Sequence, residues 1–145
     1  VELPLDAGIP ETYIEDPQTR IKLYRRMAAL NTQEDLDAMK EEFSDRFGML
    51  PTEVSNLFYQ IQVKIFAERI GLSAVAQEGT DVVLRFTPLP DGVESRNLPQ
   101  FSRGIRSAKN AYRLINLDLE SDAWKDQMLE QLESIELHLQ AENRR

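Results

Sequence analysis

Between Thr32 and Pro51 a helix is written together with both of its ends. Thr32-Gln33-Glu34-Asp35 is a Thr-x-x-Asp variant of the capping box, in which a side-chain oxygen satisfies an orphan N–H at the helix start. Leu36, Met39, Phe43 and Phe47 follow at steps of three, four and four, the spacing that lines up one apolar face. Gly48 suits the left-handed conformation that follows a helix, and Pro51 suits the first turn of the next one. This stretch is therefore an amphipathic helix joined through Met49-Leu50 to another helix.

The neighbouring segments carry the same kind of punctuation. Asp16-Pro17 reads as an N-cap followed by proline in the first turn, and Ile21, Tyr24, Met27 and Ala28 recur at helical spacing, which predicts a first helix over about 17–30. Thr52 to Gly71 carries Val54, Leu57, Phe58, Ile61, Ile65, Phe66 and Ile70, a stripe wide enough for burial on more than one side. Ser121 caps a last helix with Trp124, Met128, Leu132, Ile135 and Leu139 on one face, and Arg144 and Arg145 suit the carboxyl end of its dipole.

Strand signals fill most of the remainder. Val1 to Ile9 alternates apolar and polar residues, but Pro4 removes a ladder donor and confines the segment to a sheet edge. Ala74-Val75-Ala76 and Val82 to Phe86 flank Glu78-Gly79-Thr80-Asp81, a hairpin in which glycine supplies the positive φ of the turn. Thr87 to Pro99 reads as an ordered loop, and Gln100 to Lys109 as a short helix with Phe101 and Ile105 inward. Tyr112 to Leu119 reads as a strand whose apolar phase shifts between Leu114 and Leu117. The sum is an α+β fold: three N-terminal helices, a small, mostly antiparallel sheet and a long C-terminal helix.

At 145 residues this pattern fits one domain, 1–145, and 41% apolar with 29% charged residues is ample for a folded core. Val1 in place of an initiator methionine suggests a domain excised from a longer chain. There is no apolar run of the roughly 20 residues that cross a bilayer, and no signal-peptide pattern, so the expected setting is cytoplasmic with no membrane partner. The absence of cysteine excludes disulfides, thiol catalysis and Cys-type zinc sites. A net charge of −8 opposes nucleic acid and anionic membranes and favours a basic partner surface.

Nothing in the sequence makes an active site. Gly-x-x-x-x-Gly-Lys-Ser/Thr, Gly-x-Gly-x-x-Gly and His-Glu-x-x-His patterns are absent, so no catalytic, cofactor-binding or metal residues are assigned. His138, the single histidine, lies beside the apolar stripe of the last helix and is read as a solvated or capping residue. Asp37, Glu41, Glu42 and Asp45 share one helix, whereas paired-carboxylate catalysis needs two acids across a cleft. On a helical wheel the acids project away from Leu36, Met39, Phe43 and Phe47. They form either an ordinary solvated face or an acidic docking patch for arginines. Basic residues cluster at Arg20, Lys22, Arg25 and Arg26 and again at Arg103, Arg106, Lys109 and Arg113. They lack interleaved exposed aromatics, which favours solvated faces or internal ion pairs over a nucleic-acid site.

Three blocks carry a family resemblance: Tyr13-Ile14-Glu15-Asp16; Arg20-Ile21-x-Leu23-Tyr24-x-Arg26; and Glu42-x-x-Asp45-Arg46-Phe47-Gly48-x-Leu50-Pro51. Together they resemble the C-terminal domain of the bacterial transcription-repair coupling factors, and the Asp-Arg-Phe-Gly-x-Leu-Pro run is the most specific part. The resemblance spans the N-terminal Val-Glu-Leu-Pro-Leu through Gly71-Leu72 and thins beyond about Pro88. It implies a parent protein that translocates on double-stranded DNA with ATP and Mg in its motor, dislodges stalled RNA polymerase and recruits UvrA; this segment holds none of the motor motifs. It further implies an autoinhibitory domain that folds onto an N-terminal UvrB-like module of the same chain and masks the surface that binds UvrA until polymerase is engaged. Glu42 and Asp45 sit at the family positions expected to meet arginines of that module, whereas Phe47 and Arg46 are read as serving the fold. The alternative is an accessory DNA-contacting domain that uses the basic residues of the first helix and of residues 103–113.

Overall fold

A computed structural model describes residues 1–87 and 103–143. Its elements run α1 (Pro17–Ala28), α2 (Gln33–Phe47), α3 (Thr52–Ile70), β1 (Leu72–Glu78), β2 (Asp81–Phe86), β3 (Ile105–Ala108), β4 (Ala111–Leu114) and α4 (Ala123–Asn143). The fold is α+β, as the periodicities predict: three helices, an antiparallel four-stranded sheet and a long last helix. The chain divides into two compact units, one of Pro4–Ile65 and one of Val1–Leu3 with the chain from Phe66 onward.

The first unit is built from α1, α2 and most of α3. Asp16 caps α1, its carboxylate accepting from the Gln18 N–H at 3.3 Å and the Thr19 hydroxyl at 2.7 Å. Those hydrogen bonds to the charged form hold the Asp16 carboxyl below its ordinary range. Thr32 caps α2 by accepting from the Asp35 N–H at 3.1 Å. Gly48, at φ 93°, ends α2 with its N–H on the Ser44 carbonyl. The Pro51 carbonyl then receives the first N–H groups of α3, from Val54 and Ser55. Leu36, Met39 and Phe43 bury against Val54, Phe58, Ile61 and Ile65 in a core that Ile9, Ile14, Leu23 and Met27 complete. Phe43 lies edge-on to Phe58 at 5.1 Å and to Phe47 at 5.8 Å, an arrangement ring quadrupoles favour. The Tyr13 hydroxyl donates to the Gly48 carbonyl at 2.9 Å, securing the corner after α2.

The second unit carries the sheet, in the order β1-β2-β4-β3 with every neighbour antiparallel. β1 and β2 close through Gly79-Thr80, with Glu78 opposite Asp81 and Gly79 at φ 62°, the glycine-first pattern of tight hairpins. Val75, Leu84, Tyr112, Val82 and Leu114 share the buried face. On α4, Trp124, Met128, Leu132 and Ile135 are buried at steps of four, four and three. The Ser121 hydroxyl accepts from the Ala123 N–H at 3.1 Å, which places the predicted cap.

Four expectations need correction. The inward face of α1 is Leu23 and Met27, while Ile21, Tyr24 and Ala28 are exposed; the Tyr24 hydroxyl instead accepts from the Ile9 N–H at 2.7 Å. Val1 to Ile9 is no strand: Glu2 alone bridges Ala76, and Pro4 limits further pairing. The helix expected over Gln100–Lys109 is strand β3 over Ile105–Ala108, because pairing with β4 through the two-residue turn Lys109-Asn110 outweighs local propensity. The strand expected over Tyr112–Leu119 stops at Leu114, because Asn116 takes φ 61° and turns the chain where the apolar phase shifts. Phe101, the loop from Pro88 to Pro99, and Arg144 and Arg145 lie outside the described residues.

Candidate protein-interaction site on helix α2

With Leu36, Met39 and Phe43 turned inward, the helical repeat carries Glu34, Asp37, Glu41 and Asp45 along the exposed side of α2. Asp37 accepts from the Gln33 side chain at 2.9 Å. Asp45 is exposed and makes no hydrogen bond or ion pair among the described residues, so its carboxylate is available to a partner. One turn further on, Met49 is 92% exposed at the tip of the α2–α3 corner.

Glu42 behaves differently from its neighbour. Arg26 of α1 grips it in a bidentate pair, with Nη1 to Oε2 at 2.6 Å and Nη2 to Oε1 at 2.8 Å, and Arg46 Nη1 stands 3.8 Å away. The Arg26 hydrogen bonds hold the Glu42 carboxyl below its usual range, against the partial burial that pushes it up. Arg26 is raised by the same hydrogen bonds. The pair walls an open groove of about 380 Å³ whose floor includes Leu30, Ala38 and Met39 and whose rim includes Asp35. The predicted acids are thus neighbours on one helix, one carboxylate open and the other held half-exposed by an internal arginine.

Arg46 and Phe47 serve the fold as expected. The guanidinium of Arg46 stacks over the Phe47 ring at 4.8 Å, and Phe47 also meets Tyr13 edge-on at 5.9 Å. The basic clusters are partly consumed internally. Arg20 donates to the Ile14 and Glu15 carbonyls, Arg26 holds Glu42, and Arg113 pairs with Asp81 at 3.0 Å. Lys22, Arg25, Arg103, Arg106 and Lys109 make no hydrogen bond or ion pair among the described residues. His138 is half-buried on α4. Among the described residues, no group of three or more His, Asp or Glu side chains is arranged to hold a metal ion, and no helix is long and apolar enough to cross a membrane. The Arg26–Glu42 pair was not predicted, because a tertiary contact between residues 16 apart leaves no periodic signal.

The family model of the TRCF domain matches residues 3–95, which contain α1, α2, the hairpin of β1 and β2 and the whole acidic face. This chain belongs to the TRCF domain family. Among curated relatives, this TRCF domain is 28% identical over 144 residues to the transcription-repair-coupling factor of Bacillus subtilis, covering 93% of the chain. It is 34% identical over 82 residues, 57% of the chain, to that of Staphylococcus haemolyticus, and 31% identical over 86 residues, 59% of the chain, to that of Rickettsia prowazekii. It spans 12%, 7% and 8% of those proteins. A crystal structure of the C-terminal domain of a transcription-repair coupling factor superposes with a TM-score of 0.70, covering 94% of this chain and 92% of that one at 20% identity. At that identity the superposition establishes a shared fold, and it extends beyond the matched residues through the sheet to α4.

Proposed function

We propose that this TRCF domain is a regulatory protein-interaction domain of a transcription-repair coupling factor. It binds through the acidic face of α2 to arginines of a UvrB-like module in its own parent chain and masks the surface that module offers to UvrA until RNA polymerase is engaged. The observation that supports this reading best is the open Asp45 carboxylate beside Glu42 on a helix rich in acids, whose cations are Lys40 and Arg46. A partner guanidinium gains a full charge-assisted contact at Asp45 and shares Glu42 with Arg26.

Such a contact is weak enough to reverse. Exposed ion pairs contribute on the order of 0.2–1 kcal/mol each, so a few of them hold a closed state that another ligand opens by its differential affinity. In the full-length parent, Asp45→Lys should raise capture of UvrA in the absence of polymerase, while leaving ATP- and DNA-dependent motor activity in place. Unchanged UvrA capture would sink the masking role.

The alternative of a DNA-contacting domain draws on fewer cations than the sequence suggests, because Arg20, Arg26 and Arg113 are engaged internally. Lys22 and Arg25 on α1, and Arg103, Arg106 and Lys109 of the 103–113 segment, remain for it.

A further inference from the structure

The sheet has a second face, and its register gathers charge there. Antiparallel pairing sets Glu78 opposite Asp81, Ala76 opposite Val83, Val83 opposite Arg113, and Arg113 opposite Arg106, all on the side away from Leu84 and Tyr112. Arg85 opposite Ala111 and Ala108 opposite Ala111 continue the same face. Three arginines on three adjacent strands thus surround a floor of small apolar side chains. An open concavity of about 500 Å³ lies on this floor, lined by Val83, Ala108 and Ala111 below and by Arg85, Arg113 and Lys109 at the sides.

Among the described residues the charges are only half compensated. Arg85 reaches Glu78 at 3.1 Å, and Arg113 reaches Asp81 at 3.0 Å and Glu78 at 3.5 Å. Arg106 and Lys109 are exposed and have no partner among the described residues. Arg106 and Arg113 stand directly opposite each other, and like charges at such a pair destabilise a sheet unless an anion is shared between them. Arg113 is offset by Asp81 and Glu78, so in a chain of net charge −8 the local cationic excess on this face is carried by Arg106 and Lys109.

We propose that this outer sheet face binds a short acidic peptide segment of a partner protein, its carboxylates meeting Arg106, Lys109 and the Arg113 guanidinium and its apolar side chains resting on the exposed Ala108 and on the aliphatic stems of the arginines. The face does not suit a continuous phosphate backbone. Glu78 and Asp81 lie on the same surface and repel a line of phosphates crossing it, and the net charge of the domain opposes a polyanion at longer range. A short peptide with two or three separated carboxylates can keep them clear of both acids and also uses the apolar surface beside them. The site lies in the sheet unit and is independent of the proposal for α2.

The test is fluorescence anisotropy of the domain with a fluorescein-labelled Glu-Leu-Glu-Leu-Glu hexapeptide carrying a C-terminal glycine amide, beside its Gln-Leu counterpart and a short oligothymidylate of equal charge. The acidic peptide should bind in a salt-sensitive way, the neutral one should not, and Arg106→Gln/Lys109→Gln should weaken binding about fivefold, as expected from two exposed charge contacts. Arg106→Gln alone should leave thermal stability unchanged or raise it, since it removes the opposed like charge; a fall would show that the arginine serves the fold instead. Undiminished binding by the double variant, or no binding by the wild type, would overturn the proposal. Oligothymidylate binding tighter than the peptide would overturn the peptide assignment and mark a nucleic-acid surface.

Discussion

Arg26 on α1 and Glu42 on α2 form a bidentate pair, at 2.6 and 2.8 Å, at the α1-facing edge of the face proposed to meet a basic partner. The pair does two things: it ties the first two helices together, and it holds the Glu42 carboxylate ionised and fixed in direction. A partner arginine therefore meets a preset acceptor at Glu42 and an open one at Asp45, a difference the acid-rich pattern alone does not reveal.

The pair also gives the domain a pH signature. Glu42 has a folded-state pKa below its ordinary value of 4.5, so its contribution to stability is present above that value and is lost as pH falls through the lower folded value. A double-mutant cycle of Arg26→Ala and Glu42→Gln, read by urea unfolding, should show coupling of about 0.5 kcal/mol at neutral pH, the scale of an exposed pair. The coupling should vanish below the ordinary carboxylate range. Coupling that persists at strongly acidic pH would show that packing rather than charge joins the two side chains.

Gly48 ends α2 at φ 93° with open space where a Cβ would stand. Its cost on replacement is therefore backbone strain alone. At φ 93° and ψ −167° the residue lies in a region essentially reserved for glycine and outside the left-handed well that asparagine tolerates, so Gly48→Ala and Gly48→Asn should each destabilise by about 1–3 kcal/mol. Unchanged stability of either variant in chemical denaturation would show that the corner relaxes to an ordinary backbone conformation instead.

Phe43 has no exposed surface and stacks edge-on with Phe47 and Phe58. Truncation to alanine removes that packing and leaves a cavity, so Phe43→Ala should cost about 3–5 kcal/mol. Asp45→Lys, two residues along on the opposite, exposed side of the same helix and without a hydrogen bond or ion pair among the described residues, should change stability by no more than about 0.5 kcal/mol. The contrast is checked by the thermal midpoints of the two variants.

How far the fold was legible follows from where each signal resides. The ends of α2 were readable because Thr32 and Gly48 act on backbone groups a few residues away, and the β1–β2 hairpin because Gly79 alone supplies its turn. On α1, Met27 is buried as its spacing predicts, but the rest of the face was misread because Ile21-Tyr24 and Leu23-Met27 both satisfy helical spacing, and only the core formed with α2 and α3 selects the second. β3 escaped because Ile105-Arg106-Ser107-Ala108 has little strand character of its own; its pairing with β4 is non-local, and Asn110 at φ 58° was the one turn residue that could have signalled it. In the candidate site, the positions of Glu42 and Asp45 on one helix followed from periodicity, while the claim of Arg26 on Glu42 required the packing of α1 against α2.

The central claim is that the acidic face of α2 binds a basic surface on the UvrB-like module. Its most direct test is a titration of this domain against that module at low and moderate salt, with the wild type, Asp45→Lys and the Glu42→Lys/Asp45→Lys pair. The account predicts salt-sensitive binding by the wild type, clear weakening by Asp45→Lys with no change in thermal midpoint, and loss in the double variant. Binding that survives both charge reversals, or none by the wild type at any salt, would contradict it.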